Sequence, residues 1–173
     1  MFALVVRIGA IMILFLDFDG VLHPDAVFLS RNGPVLRSDG RLFMWADLLE
    51  DALQDFPAVK IVLSTSWVRH LGFSKAKKRL PLGLQGRIIG STWHSSMEKQ
   101  MSEQIWWDSA TRHAQITRFL ARSRPTTWIA LDDDAVGWGA EHAERLVLTD
   151  AATGISDPST FTRLKELLKG AGK

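Results

Sequence analysis

Ile11-Met-Ile-Leu-Phe-Leu-Asp-Phe-Asp-Gly-Val-Leu-His-Pro24 is the stretch from which the fold is read. Ile11–Leu16 is an unbroken apolar run that ends at Asp17. A run of this kind, bounded by a turn signal, predicts a strand buried on both faces. It closes on Asp17 and Asp19, two residues apart, with Gly20 to bend the chain and Pro24 to end the loop. In open parallel sheets, ligands bind beyond the carboxyl ends of the strands. Two carboxylates at such an end suit a metal site, a nucleophile with its acid–base partner, or both. The plainer reading is a solvated turn, since Asp and Gly are common there. The choice depends on what the rest of the chain brings to the same edge.

Working outward, Asn32-Gly33-Pro34 between short apolar runs, Ala26–Ser30 and Val35–Arg37, reads as a hairpin-like flap. Leu42, Ala46, Leu49, Leu53 and Phe56 recur at helical spacing and predict a helix over Asp39–Phe56, ended by Pro57. Lys60–Leu63 is a second buried strand that runs into Ser64-Thr65-Ser66. Val68–Leu80 reads as a helix with a basic face, Lys75 to Arg79, and Gly86–Gly90 as a short third strand. Ser91–Asp108 has no clear period and is read as an irregular loop. A helix over Ser109–Ser123 follows, then a fourth strand, Thr127–Leu131, ending in Asp132-Asp133-Asp134. Leu146–Thr149 is the fifth strand. Asp157 caps the last helix, Pro158 takes its first turn and Gly170 stops it. Strands alternating with helices predict an α/β, Rossmann-like three-layer fold around a mainly parallel five-stranded sheet.

The 173 residues suit one domain, and the net charge of +2 does not by itself argue for a nucleic-acid partner. The absence of cysteine excludes disulfides, thiolate catalysis and thiolate zinc sites. Residues 1–11 are read as a start-site extension, because Met12 stands where the strand begins. Arg7 and Gly9 interrupt the apolar N-terminus, and no cleavage-like segment precedes the acidic loop. The expectation is a cytoplasmic protein with no membrane partner. The sequence leaves the oligomeric state open.

Asp17/Asp19, Ser64/Thr65, a basic residue and Asp132/Asp133 therefore fall in order at strand or helix ends. Phosphoryl transfer through an aspartyl-phosphate needs these types. One carboxylate attacks phosphorus, a second protonates the leaving oxygen, and a magnesium ion offsets the crowded negative charge. A hydroxyl and a cation hold the phosphate oxygens.

The same order resembles that of the haloacid-dehalogenase-like (HAD) phosphohydrolase superfamily over Ile11–Leu148, with Asp17-x-Asp19-x-Val21 as its first motif. The resemblance implies Asp17 as nucleophile and magnesium ligand. It implies Asp19 as general acid–base, whose backbone carbonyl is a further ligand. Ser64 or Thr65 fills the second motif, with Ser64 preferred as the first polar residue after the strand. Arg112 best fits the third, with Lys99 as the alternate, and Arg keeps the charge of the more usual Lys. Asp133 is the further metal ligand and Asp132 supports it. Gly20 joins the phosphate-binding set with Ser64, Thr65 and Arg112. The details Asp-Gly-Val-Leu-His-Pro, Leu-Ser-Thr-Ser-Trp, Leu-Asp-Asp-Asp and Leu-Val-Leu-Thr-Asp are most similar to the HAD domain of "Swiss army knife" RNA-repair proteins. This implies a phosphorylated substrate such as a nucleic-acid end.

A small-metabolite phosphatase, a receiver-type phosphoacceptor and a scaffold that only binds are the competing readings. A receiver gives Asp19 no role, and filled motif positions argue against a bare scaffold. HAD enzymes of small molecules often carry a cap after the first motif or before the third. Here the first slot holds a hairpin and a helix. The second, Ser91–Asp108, is shorter than a folded domain of about 50 residues. The expectation is an open site without a sizeable cap. His23 is read either as a substrate contact or as a structural or solvated loop residue. Lys75–Arg79 is read as a solvated face, and Trp106-Trp107 as core. His70, His94 and His142 lack the spacing of a metal site.

Overall fold

A computed structural model of the chain describes residues 11–125 and 127–170. The N-terminal extension read at residues 1–11 lies almost wholly outside the described residues.

The apolar run forms β1 (Met12–Leu16), all of it buried. It lies at the centre of a five-stranded sheet with β4 (Val59–Leu63), β5 (Ile88–Ser91), β6 (Thr127–Asp132) and β7 (Leu146–Leu148), in the order β5-β4-β1-β6-β7. Every pairing in this sheet is parallel. Alternate residues of β1 feed two cores. Met12, Leu14 and Leu16 pack with Leu49 and Leu53 of α1 (Ala46–Leu53) and with Leu164 and Leu168 of α7 (Pro158–Gly170). Ile13 and Phe15 face the other way, toward Ile116, Phe119 and Leu120 of α6 (Arg112–Ser123). Helices thus cover both faces, as unbroken apolar strands require. Among the described residues, no helix is long and apolar enough to cross a membrane.

The flap is a two-stranded antiparallel hairpin, β2 (Val27–Ser30) and β3 (Gly33–Leu36), that turns at Arg31-Asn32. Helix α1 is shorter than its sequence period predicts. Gly40 and Phe43 have left-handed backbones, φ 104° and 60°, which no helix continues through. The predicted basic helix is broken at Gly72 (φ 85°) into α2 (Ser66–Leu71) and α3 (Phe73–Lys77). A short α4 (Leu82–Gln85) follows Pro81. Ser91–Asp108 is not irregular: a 3₁₀ turn, Ser95–Lys99, leads into α5 (Met101–Ser109). Of α5 only Trp107 is buried, while Met101 and Ile105 face solvent, so the helix carries no apolar stripe in sequence. Trp93 and Trp107 do belong to the core, their rings 5.2 Å apart.

Candidate active site

The hydrogen-bond ladder continues one step past the strand ends. Asp17 N–H donates to Leu131 O at 3.1 Å, and Ser64 N–H donates to Leu16 O at 2.8 Å. These bonds align Asp17, Ser64 and Asp132 along one edge. Asp17, Asp132 and Asp133 each offer an oxygen within 4.8 Å of the others. Asp17 and Asp132 are buried, and Asp133 is half-buried.

One cation answers this cluster. Arg112, the first residue of α6, places Nη2 3.1 Å from Asp17 Oδ2 and Nε 3.2 Å from Asp132 Oδ2. Thr111 caps α6, its hydroxyl accepting from Ala114 N–H at 3.1 Å, and so fixes where Arg112 starts. Gln115 Oε1 accepts from Arg112 Nη1 at 3.2 Å, and Gln115 Nε2 donates to Trp107 O. The contact with Asp132 Oδ2 is an ion pair rather than a directed hydrogen bond. The alternate cation, Lys99, ends an exposed 3₁₀ turn.

The electrostatics follow from burial. Loss of water raises the Asp17 carboxyl above its usual range. Arg112 works against this rise and the Asp19 charge adds to it. Burial, then the Asp17 charge, pushes Asp132 well up. Burial and the charges of Asp17 and Asp25 bring Asp133 to about 7. Burial alone would lower Arg112, but Asp17, Asp132 and Asp134 outweigh it and hold the guanidinium firmly charged. Three crowded carboxylates against one guanidinium leave an excess of negative charge. Their hard oxygen donors are of the kind that suits a magnesium ion, which Asp17, Asp132 and Asp133 would hold.

Gly20 (φ 67°) lets the loop pass directly beneath Asp133, where a Cβ would overlap Asp133 Oδ2. Its carbonyl accepts from the buried Thr149 hydroxyl at 2.6 Å. Thr65 caps α2, and its hydroxyl lies against Asp17 and helps hold that carboxyl down. Ser64 Oγ is buried without a hydrogen-bond partner.

The Asp19 carboxylate stands apart from the acidic cluster. Trp67 Nε1–H donates to both of its oxygens, at 3.0 and 2.9 Å. His23 Nε2 is 3.0 Å from Asp19 Oδ1. His23 is fully buried and bonded to Asp19, which fits its structural reading and not a solvated one. Sequence reading placed Trp67 and Thr149 only inside the family-like stretches Leu-Ser-Thr-Ser-Trp and Leu-Val-Leu-Thr-Asp and gave neither a role in the site.

Two clefts flank the site and share Ser66 and His70. One, of about 160 Å³, is lined by Asp19, Trp67 and the flap residues Val27, Leu29 and Pro34. The other, of about 250 Å³, holds Arg69, Asp108, Arg112 and Asp134. Arg69 is tied to Asp108 at 2.7 Å. The flap and the α5 segment thus border the acidic edge on either side.

No curated protein and no solved structure matches this chain. Residues 13–160, a span that contains every residue of the edge described above, match the family described as the HAD domain in Swiss Army Knife RNA repair proteins, and the chain belongs to that family.

Proposed function

We propose that the protein is a magnesium-dependent phosphatase that acts through an aspartyl-phosphate on Asp17, with a phosphorylated nucleic-acid end as substrate. The observation that carries the reading is the cluster of Asp17, Asp132 and Asp133, of which the buried pair Asp17 and Asp132 is bridged by Arg112. Family membership supports a phosphatase of HAD type.

In this reading an Asp17 oxygen forms a bond to phosphorus as the bond to the leaving oxygen breaks. Asp19 gives its proton to that oxygen. Asp19 then takes a proton from water, which attacks phosphorus and frees Asp17. Arg112 and the Thr65 and Ser64 hydroxyls hold the phosphate oxygens, and the Gly20 turn keeps the loop close to them. A bound magnesium ion supplies charge neutralisation for phosphate and carboxylates together. The unpartnered Ser64 hydroxyl suits an acceptor brought by the substrate. One domain without a large cap leaves clefts on both sides of the site open, which favours a bulky phosphate. The test is phosphate release with magnesium from 3′- and 5′-phosphorylated oligonucleotides against a panel of phosphorylated metabolites. Oligonucleotides should give the higher kcat/KM. A much better metabolite would overturn the nucleic-acid substrate, and full activity in Asp17→Asn would overturn the mechanism.

A further inference from the structure

We propose that Trp67 and His23 are positioning residues that clamp Asp19 so that its Oδ2 atom carries the transferred proton. The proposal rests on the phosphatase reading above and goes beyond it in naming the clamp and the atom.

Three contacts fix the carboxylate. Asp19 Oδ1 receives His23 Nε2 at 3.0 Å and Trp67 Nε1 at 3.0 Å, and Oδ2 receives Trp67 Nε1 at 2.9 Å. The indole N–H only donates. His23 Nδ1 accepts from the Phe43 backbone N–H at 3.2 Å, and a backbone N–H likewise only donates. The imidazole proton therefore sits on Nε2 and points at Asp19. A carboxylate oxygen has two lone-pair positions. Both are used on Oδ1, whereas Oδ2 keeps one free, and Asp19 lines the cleft bordered by Val27, Leu29 and Pro34. That free position is where a proton can sit and be handed to a leaving oxygen.

The clamp itself is packed into the core. His23 and Trp67 are buried, and both lean on Phe43, with ring centroids 4.9 and 5.1 Å away. Phe18 meets Phe43 and Trp67 edge-on at 5.1 and 5.8 Å. Phe43 holds a left-handed backbone unusual for its bulk, and this turn delivers its N–H to His23. Rotation of the Asp19 side chain would break all three contacts at once. Proton transfer demands hydrogen-bond reach to the leaving oxygen, so a fixed carboxylate is a catalytic advantage.

The experiment compares two leaving groups by kcat/KM, which reads the first chemical step. p-Nitrophenolate departs without a proton. An alkoxide needs one, and the probe is the best of a 3′-phosphorylated oligonucleotide, a 5′-phosphorylated oligonucleotide and glycerol 2-phosphate. Trp67→Phe keeps an aromatic side chain and removes the indole N–H. It should lower the alkyl phosphate rate by about 10- to 100-fold and the p-nitrophenyl rate by less than about threefold. His23→Leu should behave alike, and His23→Gln, which restores an N–H near the Nε2 position, should recover most of the loss. In an Asp19→Asn background, Trp67→Phe should add no further loss, since it acts through Asp19. Equal losses on both substrates, or additive losses with Asp19→Asn, would overturn the clamp while leaving the phosphatase intact. Melting curves identify any variant that fails to fold; if His23→Leu does, the Trp67→Phe comparison carries the test alone. A wild-type protein inactive on every phosphate would overturn the phosphatase reading and this proposal with it.

Discussion

Replacing Arg112 by Met tests the electrostatic account of the site without reference to turnover. The Arg112 side chain is 16% exposed, against 6% for Asp17 and 1% for Asp132. Met refills the space of the apolar stem, so the change is mainly one of charge. Removing one member of a buried ion pair costs roughly 3–5 kcal/mol, because the other is left without compensation. For a chain of this size, each kcal/mol moves Tm by about 2–4 °C, so the variant should melt roughly 10 °C lower near neutral pH. The loss should depend on pH. Asp17, Asp132 and Asp133 all sit above the ordinary carboxylate range in the folded protein, Asp133 at about 7. A carboxyl raised on folding favours the native state below its unfolded value, about 4, and loses that contribution as pH rises through its folded value. Without Arg112 the folded values climb further. The gap between variant and wild type should therefore be wide near about pH 8 and narrow near about pH 5. Tryptophan fluorescence melts in EDTA at both pH values measure it. Magnesium should stabilise both proteins and narrow the gap, since it supplies the missing positive charge. A variant within about 2 °C of wild type at the higher pH, or a gap that ignores pH, would refute the reasoning.

Asp17→Asn should reduce phosphate release to background in a colorimetric assay, because an amide is a poor nucleophile. EDTA should abolish activity and magnesium restore it, while calcium binds with little turnover because its larger, looser shell misplaces the carboxylate; full activity in EDTA counts against the metal. Gly20→Ala should cost about 1–2 kcal/mol for its left-handed backbone, read from urea midpoints. It should also weaken magnesium affinity by calorimetry, because the new Cβ displaces Asp133. Thr149→Val should cost about 1 kcal/mol in the same urea titration, since the buried Gly20 carbonyl loses its donor.

What the sequence made legible depended on whether the signal was local. The β1 run is continuous and apolar, so its burial on both faces could be read directly, and the parallel sheet followed from the alternation around it. Helix α6 was legible because its apolar residues recur on one face. Helix α5 was not, because it buries one tryptophan and leaves Met101 and Ile105 in solvent. The early start read for α1 failed for a different reason. Leu42 fits the helical period, but Phe43 turns back to meet His23, 20 residues earlier, and nothing local signals that bond. The same limit hid Trp67, whose partner Asp19 lies 48 residues earlier. A tryptophan after Ser-Thr-Ser reads as core, and its core role is real. Its indole N–H alone reaches the acidic loop.

The strand order explains why scattered acidic pairs could be joined before any geometry was known. From β1 the chain moves outward to β4 and β5, then crosses to the other side for β6 and β7. The connections therefore diverge at the carboxyl end of β1, and a crevice opens there between the loops after β4 and β6. Any polar residues that end β1, β4 and β6 must line that crevice, whatever their separation in sequence. Asp17, Ser64 and Asp132 are such residues, and the bonds linking Asp17 N to Leu131 O and Ser64 N to Leu16 O hold them level. Topology thus places the polar residues that end those strands, while groups that fix orientation, such as Trp67 and Gln115, come from wherever packing brings a donor within reach. Of the two sets, the first lies at the strand ends, where polar runs are visible in sequence. The second is set by the tertiary fold, and only a structure reveals it.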